Sequence, residues 1–101
     1  MRRRPGFDGM SPAGTFVVPA DHPCLPGHFP GQPVVPAVVL LDEVFALLAQ
    51  PVRGVVTVKF TRPVLPGETV AVTCGAPAGG RMAFAGTVDG APALRGTALV
   101  A

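Results

Sequence analysis

Two kinds of hydrophobic spacing divide the chain. Residues 36–49 are apolar on nearly every side, contain no glycine, and have proline only at Pro36, the first position. Proline suits the first turn of a helix, and Pro51 prevents its continuation, so we predict one helix from Pro36 to Ala49. Beyond Pro51 the spacing changes to period two, which predicts a strand with Val52, Val56, Val58 and Phe60 on one face.

Short strands separated by turn residues account for the rest of the folded part. A β-prone run lies at residues 15–19, and three runs follow the first strand after the helix, at 68–74, 81–88 and 93–100. Pro66-Gly67, a glycine-rich stretch at 76–80 and Asp89-Gly90 separate them, which is typical of antiparallel hairpins. The sequence therefore predicts an α+β domain in which an antiparallel sheet curls around a single central helix.

The first residues differ from the remainder in composition. Three arginines follow Met1, but no apolar segment follows them, so the start does not resemble a secretory signal. We predict a disordered arm over residues 1–13, a single domain over residues 14–101, and a cytoplasmic protein. Asp42 and Glu43 interrupt the longest apolar stretch, and therefore no transmembrane segment is expected.

Composition favours an oligomer and argues against nucleic acid as a partner. Of the 101 residues, 49% are hydrophobic and only 14% are charged, so we expect part of each chain's surface to be covered by another subunit. The net charge is +2, and three of the eight basic residues lie in the arm, which leaves no basic stripe on the domain. No metal-ligand spacing relates Cys24 and Cys74 to the histidines, and we expect both thiols to be reduced.

His28 and Asp42 are the candidates for acid-base chemistry. His28 lies within Gly27-His28-Phe29-Pro30-Gly31, in a Pro/Gly-rich stretch from residue 23 to residue 36 that is too long for an ordinary connection. Asp42 lies among valines and leucines, surroundings that would raise the pKa of a carboxyl group and allow it to donate a proton. Two plainer interpretations remain open: His28 as a turn histidine bonded to nearby backbone, and Asp42 with Glu43 as a narrow solvent edge of the helix.

Two segments resemble bacterial 3-hydroxyacyl-acyl carrier protein dehydratases, which have the hotdog fold. Residues 22–43, HPCLPGHFPGQPVVPAVVLLDE, resemble that family's pattern GHFPGxPxxPGxxxx(D/E), and residues 59–68, KFTRPVLPGE, resemble its KFxRPVxPG(D/E) strand and turn. The motifs occur in the family's order and cover about a third of the chain. The short chain looks more like compact dehydratases associated with aryl polyene or similar specialised pathways than like longer housekeeping enzymes.

The resemblance implies a role for each matching residue. His28 would remove the α-proton of a thioester, and Asp42 of the neighbouring subunit would protonate the departing 3-hydroxyl group. The backbone N–H of Ala37 would stabilise the thioester oxyanion. The family usually has glycine at this position, so either the backbone at Ala37 is ordinary helix or the oxyanion contact is weakened.

The resemblance also implies the substrate and partners. The acyl group would be carried by acyl carrier protein, with no metal or redox cofactor, in a homodimer that can assemble further. An acyl tunnel would be lined by four residues that are equally compatible with ordinary core packing: Phe29, Val38, Leu41 and Phe60. Lys59, Arg62 and Arg81 would contact the acidic carrier, unless they are simply solvated charges. A hotdog thioesterase and a non-catalytic acyl-carrier or acyl-CoA binding module are the alternatives.

Overall fold

One antiparallel sheet and one helix make up the described part of the chain. The computed structural model describes residues 10–19 and 34–101. In chain order the elements are β1 (Ser11–Val17), α1 (Ala37–Leu47), β2 (Val52–Phe60), β3 (Thr69–Cys74), β4 (Arg81–Val88) and β5 (Ala91–Val100). The predicted α+β architecture, with an antiparallel sheet and a single helix, is confirmed for these residues.

The order of strands in the sheet is β1-β3-β4-β5-β2, and every neighbouring pair is antiparallel. A tight turn at Asp89 and Gly90, both with positive φ, joins β4 to β5. β2 pairs with β5, although two other strands lie between them in the sequence. As a result, β1 and β2 form the two edges of the sheet.

The core lies between one side of the helix and one face of the sheet. Val39, Leu40 and Val44 are the buried residues of the helix. Burial alternates along β4, whose Phe84 ring meets the ring of Phe45 edge-on with centroids 5.6 Å apart. Full burial of a phenylalanine side chain contributes about 1.5–3 kcal/mol to the free energy of folding, so the contact between these two rings stabilises the helix on the sheet. Within the described ranges, no helix combines the length and apolarity needed to cross a bilayer.

The helix is buried on one side only in the single chain. Val38 is 64% exposed, and Asp42 and Ala46 are also exposed. These positions are spaced by four residues and therefore form one stripe along the helix. The all-round burial expected from its apolar sequence is thus absent from an isolated subunit.

β1 begins earlier than the sequence suggested. Ser11, Pro12 and Ala13, which we assigned to the arm, lie in the strand. Proline is compatible with this position because β1 is an edge strand, and its register shifts between Pro12 and Gly14. Residues 1–9, the rest of the predicted arm, lie outside the described residues.

β2 departs from the predicted alternation. The pairing of β2 with β5 shifts between Val55 and Thr57, so Val56 is an extra residue that changes the face on which its neighbours lie. Of the four residues predicted on one face, Val56 and Phe60 are exposed, while the other two pack against the core. Burial along β2 therefore does not follow the predicted alternation.

Candidate active site

A groove of about 350 Å³ lies at the start of the helix. One wall is formed by Val34, Val35, Ala37 and Leu40 and the other by residues 60–64, so parts of both sequence motifs meet there. Among the predicted site residues, Ala37, Phe60 and Arg62 line this groove. Leu40, buried beneath it, connects the groove to the core.

The helix start offers backbone N–H groups to the groove. Pro36 is the N-cap residue and has extended geometry, and no side chain within the described ranges caps the helix. The first turn contains no acidic residue, so its partial positive charge is not offset there. In the described residues Asp89 is the only non-glycine residue with positive φ, and Ala37 therefore begins an ordinary helix. Of the two alternatives for Ala37, ordinary helical backbone is the one observed.

Asp42 lies on the exposed stripe of the helix. Val38, one turn before it, and Ala46, one turn after it, are both exposed apolar residues. Within residues 10–19 and 34–101, the carboxylate of Asp42 forms no hydrogen bond or ion pair. In a single chain Asp42 is therefore an acid on an apolar, solvent-facing stripe, and only a covering surface would desolvate it.

Two predicted site residues, His28 and Phe29, lie outside the described residues, as does Cys24. Their roles remain predictions. The segment that contains them has described neighbours on both sides: the Val18 carbonyl accepts a hydrogen bond from the Gly67 N–H at 2.8 Å, and the Val35 N–H donates to the Val64 carbonyl at 2.9 Å. Both contacts are made with the second sequence motif.

Arg62 and Glu68 form an ion pair beside the groove. Nη2 of Arg62 lies 3.0 Å from Oε1 and 2.9 Å from Oε2 of Glu68, and the Leu65 N–H donates to Oε1 at 2.8 Å. Nε of Arg62 donates to the Pro63 carbonyl at 3.1 Å. The Leu65 N–H, followed by the hydrogen bond and positive charge of Arg62, lowers the pKa of Glu68, against an opposing effect of desolvation.

The remaining predicted contacts are dispersed. Leu41 is partly buried against the core and Val38 is exposed, and neither lines the groove at the helix start. Lys59 and Arg81 are exposed on β2 and β4. Both strands pair with β5: Lys59 lies opposite Arg95, and Arg81 lies opposite Leu99, which is about 13 Å further along β5. These two predicted carrier contacts therefore do not form one compact patch.

Arg95 is a basic residue that is not among the three predicted carrier contacts. It is exposed and lies directly opposite Lys59, so two like charges are adjacent on the outer face of the sheet. Like charges in this position are unfavourable for the sheet alone, and an anionic partner would relieve the repulsion. Only the pairing of β2 with β5 reveals this neighbour, because the two residues are far apart in the sequence.

A larger groove, of about 550 Å³, lies at the other end of the helix. It is lined by Phe45 and by residues 48–54, and none of the predicted site residues contributes to it. Its size alone would make this groove the candidate active site. The smaller groove is the better candidate because residues of both motifs line it.

A family model matches most of the chain. The family model described as ApeI-like, ApeI dehydratase, matches residues 8–95. This range includes the helix, both sequence motifs and most of the sheet. The chain therefore belongs to the ApeI-like dehydratase family.

Individual relatives support the same class. The chain is 32% identical over 78 residues to a 3-hydroxyacyl-[acyl-carrier-protein] dehydratase FabZ of Desulforamulus reducens, covering 64% of this chain and 55% of that protein. Identity to the FabZ of Thermus thermophilus is 39% over 64 residues, covering 50% and 45%. The chain thus spans about half the length of the curated relatives it matches.

Solved structures confirm the hotdog fold. The dehydratase heterocomplex ApeI:P from Xenorhabdus doucetiae has a TM-score of 0.71 at 22% identity, covering 85% of this chain and 82% of that one. An uncharacterised protein from Erwinia carotovora subsp. atroseptica has the same TM-score, 0.71, at 28% identity, covering 86% and 79%.

Proposed function

We propose that this chain is a (3R)-hydroxyacyl-acyl carrier protein dehydratase, which eliminates water to give a trans-2-enoyl thioester. The observation that carries the proposal is the meeting of both motifs in one groove at the helix start, in a member of a dehydratase family. The motif residues His28 and Asp42 supply the chemistry. No metal or redox cofactor is required for it.

The elimination needs one base, one acid and an oxyanion donor. The imidazole of His28 takes the proton from C2 of the thioester, and the electron pair of that C–H bond forms the C2–C3 double bond. The C3–O bond breaks as the carboxylic acid of Asp42 protonates the hydroxyl group, which leaves as water. The N–H of Ala37, at an uncapped helix start, stabilises the negative charge that develops on the thioester oxygen.

A homodimer would complete the site. β2 is an edge strand with Val55, Val56 and Phe60 exposed, and the helix exposes the stripe that contains Asp42. A second copy that covers these surfaces would bury apolar area and remove water from the acid. The structure from Xenorhabdus doucetiae is a dehydratase heterocomplex. A related but different chain is therefore the alternative partner, and native mass spectrometry of the purified protein distinguishes the two.

An acidic carrier protein would approach the basic positions. Lys59 and its neighbour Arg95 offer adjacent positive charge, and Arg81 is exposed some distance away. Arg62 is the least available of the predicted contacts because Glu68 already binds its guanidinium group. Substituting Lys59 should raise KM for the carrier-bound substrate, with an effect that weakens as salt concentration rises.

Turnover of a 3-hydroxyacyl carrier tests the proposal. Growth of enoyl-thioester absorbance supports a dehydratase, release of free thiol indicates a thioesterase, and binding without turnover indicates a binding module. His28→Ala and Asp42→Asn should each reduce turnover at least about 100-fold. Glu43→Gln is the matched control, because it neutralises the adjacent carboxylate about 100° around the helix, and it should retain activity. Full activity in either of the first two variants would remove that residue from the mechanism.

A further inference from the structure

The turn at residues 61–68, which we call the clasp, is bonded to both neighbours of the segment that carries His28. On one side the Gly67 N–H donates to the Val18 carbonyl at 2.8 Å. On the other, the Val64 carbonyl accepts from the Val35 N–H at 2.9 Å. Val18 and Val35, which lie on the two sides of this segment in the sequence, are therefore both bonded to the same short turn.

Chain geometry limits the distance between Val64 and Gly67, the two residues of the clasp that form these bonds and that we call its anchors. Val64 and Gly67 are three residues apart, so their Cα atoms are separated by at most about 11 Å even if the turn is fully extended. Val64 is buried, which fixes one anchor in the core. The position of Val35, two residues before the first residue of the helix, therefore depends on the shape of the clasp.

Arg62 and Glu68 maintain that shape from inside the clasp. The carboxylate of Glu68 accepts from Arg62 at the beginning of the turn and from the Leu65 N–H in its middle, closing the turn upon itself. The two side chains are 33% and 24% exposed. Ion pairs with this much exposure contribute little to global stability, so the effect of this one is chiefly on local geometry.

We propose that Arg62 and Glu68 are positioning residues that hold the clasp and thereby fix one wall of the groove against Val35 and the N–H of Ala37 at the helix start. This inference rests on the proposed dehydratase function. It assigns Arg62 a different role from that of a carrier contact. Misplacing a catalytic group by about 1 Å can lower turnover by up to about 100-fold, so a small local change would be measurable.

A kinetic comparison with two substrates separates the two roles of Arg62. Arg62→Ala and Glu68→Ala should each lower kcat about tenfold or more for a 3-hydroxyacyl carrier and equally for the small N-acetylcysteamine thioester, with KM little changed. Glu68→Gln keeps an oxygen atom that can accept a hydrogen bond, so its kcat should fall less than that of Glu68→Ala. Arg53→Ala, which removes an exposed arginine remote from the clasp, is the matched control and should behave as wild type.

A carrier contact would give the opposite pattern. Arg62→Ala would then raise KM for the carrier substrate alone, and Glu68→Ala, which frees the arginine, would leave kcat unchanged. Either result overturns the proposal.

Amide hydrogen exchange tests the clasp without requiring activity. The N–H groups of Val35 and Gly67 should exchange at least about tenfold faster in Glu68→Ala, while the amide of Val72 in the sheet remains protected. If both amides exchange at the wild-type rate, the ion pair does not hold the clasp. If they exchange faster but the variant keeps the kcat of an active wild-type enzyme, the clasp has no positioning role. A wild-type protein that exchanges as expected but does not dehydrate the substrate contradicts the proposed function instead. If Glu68→Ala does not fold, Glu68→Gln provides the same comparison.

Discussion

Gly96 allows β2 to pack closely on β5, and its replacement by alanine should be strongly destabilising. A Cβ atom at this position would clash with the carbonyl oxygen of Thr57 and would lie 2.8 Å from Cζ of Phe84 and 3.0 Å from Cα of Val58. Two of these three contacts are with backbone, which can move only if β2 shifts. Phe84 is fully buried and has little room to rotate.

The expected cost follows from this overlap. Overpacking a tight site costs about 1–3 kcal/mol, and Gly96→Ala should lie at the upper end because backbone must yield. In a domain of this size, about 3 kcal/mol corresponds to a decrease in Tm of about 12–24 °C. Thermal and urea unfolding at one fixed protein concentration measure the change, since association would otherwise shift Tm.

Gly54→Ala provides the matched control in the same pair of strands. Its Cβ atom would meet only Cδ1 of Leu99, at an ordinary distance of 3.5 Å. The variant should lie within about 1 kcal/mol of wild type or be more stable, since alanine restricts the unfolded chain. A Gly96→Ala protein as stable as wild type, or one no less stable than Gly54→Ala, would refute the close packing of β2 on β5.

Three further predictions test the core, the ion pair and the exposed edge. Val44→Ala should cost about 2 kcal/mol in the free energy of unfolding because Val44 is fully buried, whereas Val17→Ala, at an exposed position, should change it by less than about 0.5 kcal/mol. Folding lowers the pKa of Glu68 from its ordinary 4.5, so the charged carboxylate stabilises the fold at pH values above 4.5. This stabilisation is lost as the pH falls through the lowered pKa of the folded state. The difference in unfolding free energy between wild type and Glu68→Gln should therefore shrink under acid conditions. In the proposed homodimer, Val56→Lys should shift the sedimentation of the protein from dimer to monomer, and an unchanged dimer would place the interface elsewhere.

Local signals predicted the regular elements well. Pro36 and Pro51 bracket the helix, which runs from Ala37 to Leu47 within the predicted range. The Asp89-Gly90 turn lies between the two strands predicted on either side of it. Proline geometry and turn chemistry act over a few residues, so they can be recognised without knowledge of the fold.

Features that depend on distant partners were less accessible. The extra residue Val56 and the adjacency of Lys59 and Arg95 both arise from the pairing of β2 with β5, which the order of residues does not specify. The ion pair of Arg62 with Glu68 was missed because the shape of the turn brings them together. The apolar helix was expected to be surrounded, yet Asp42 lies on an exposed stripe, which the proposed homodimer would cover.

Complementation between two inactive variants tests most directly whether His28 and Asp42 act together from different subunits. In a symmetric dimer, a hybrid of His28→Ala with Asp42→Asn contains one intact site and one site with both residues replaced. Random exchange of equal amounts makes half of the dimers hybrids, so the mixture should recover about a quarter of wild-type activity. No recovery after demonstrated exchange of subunits would contradict a shared site.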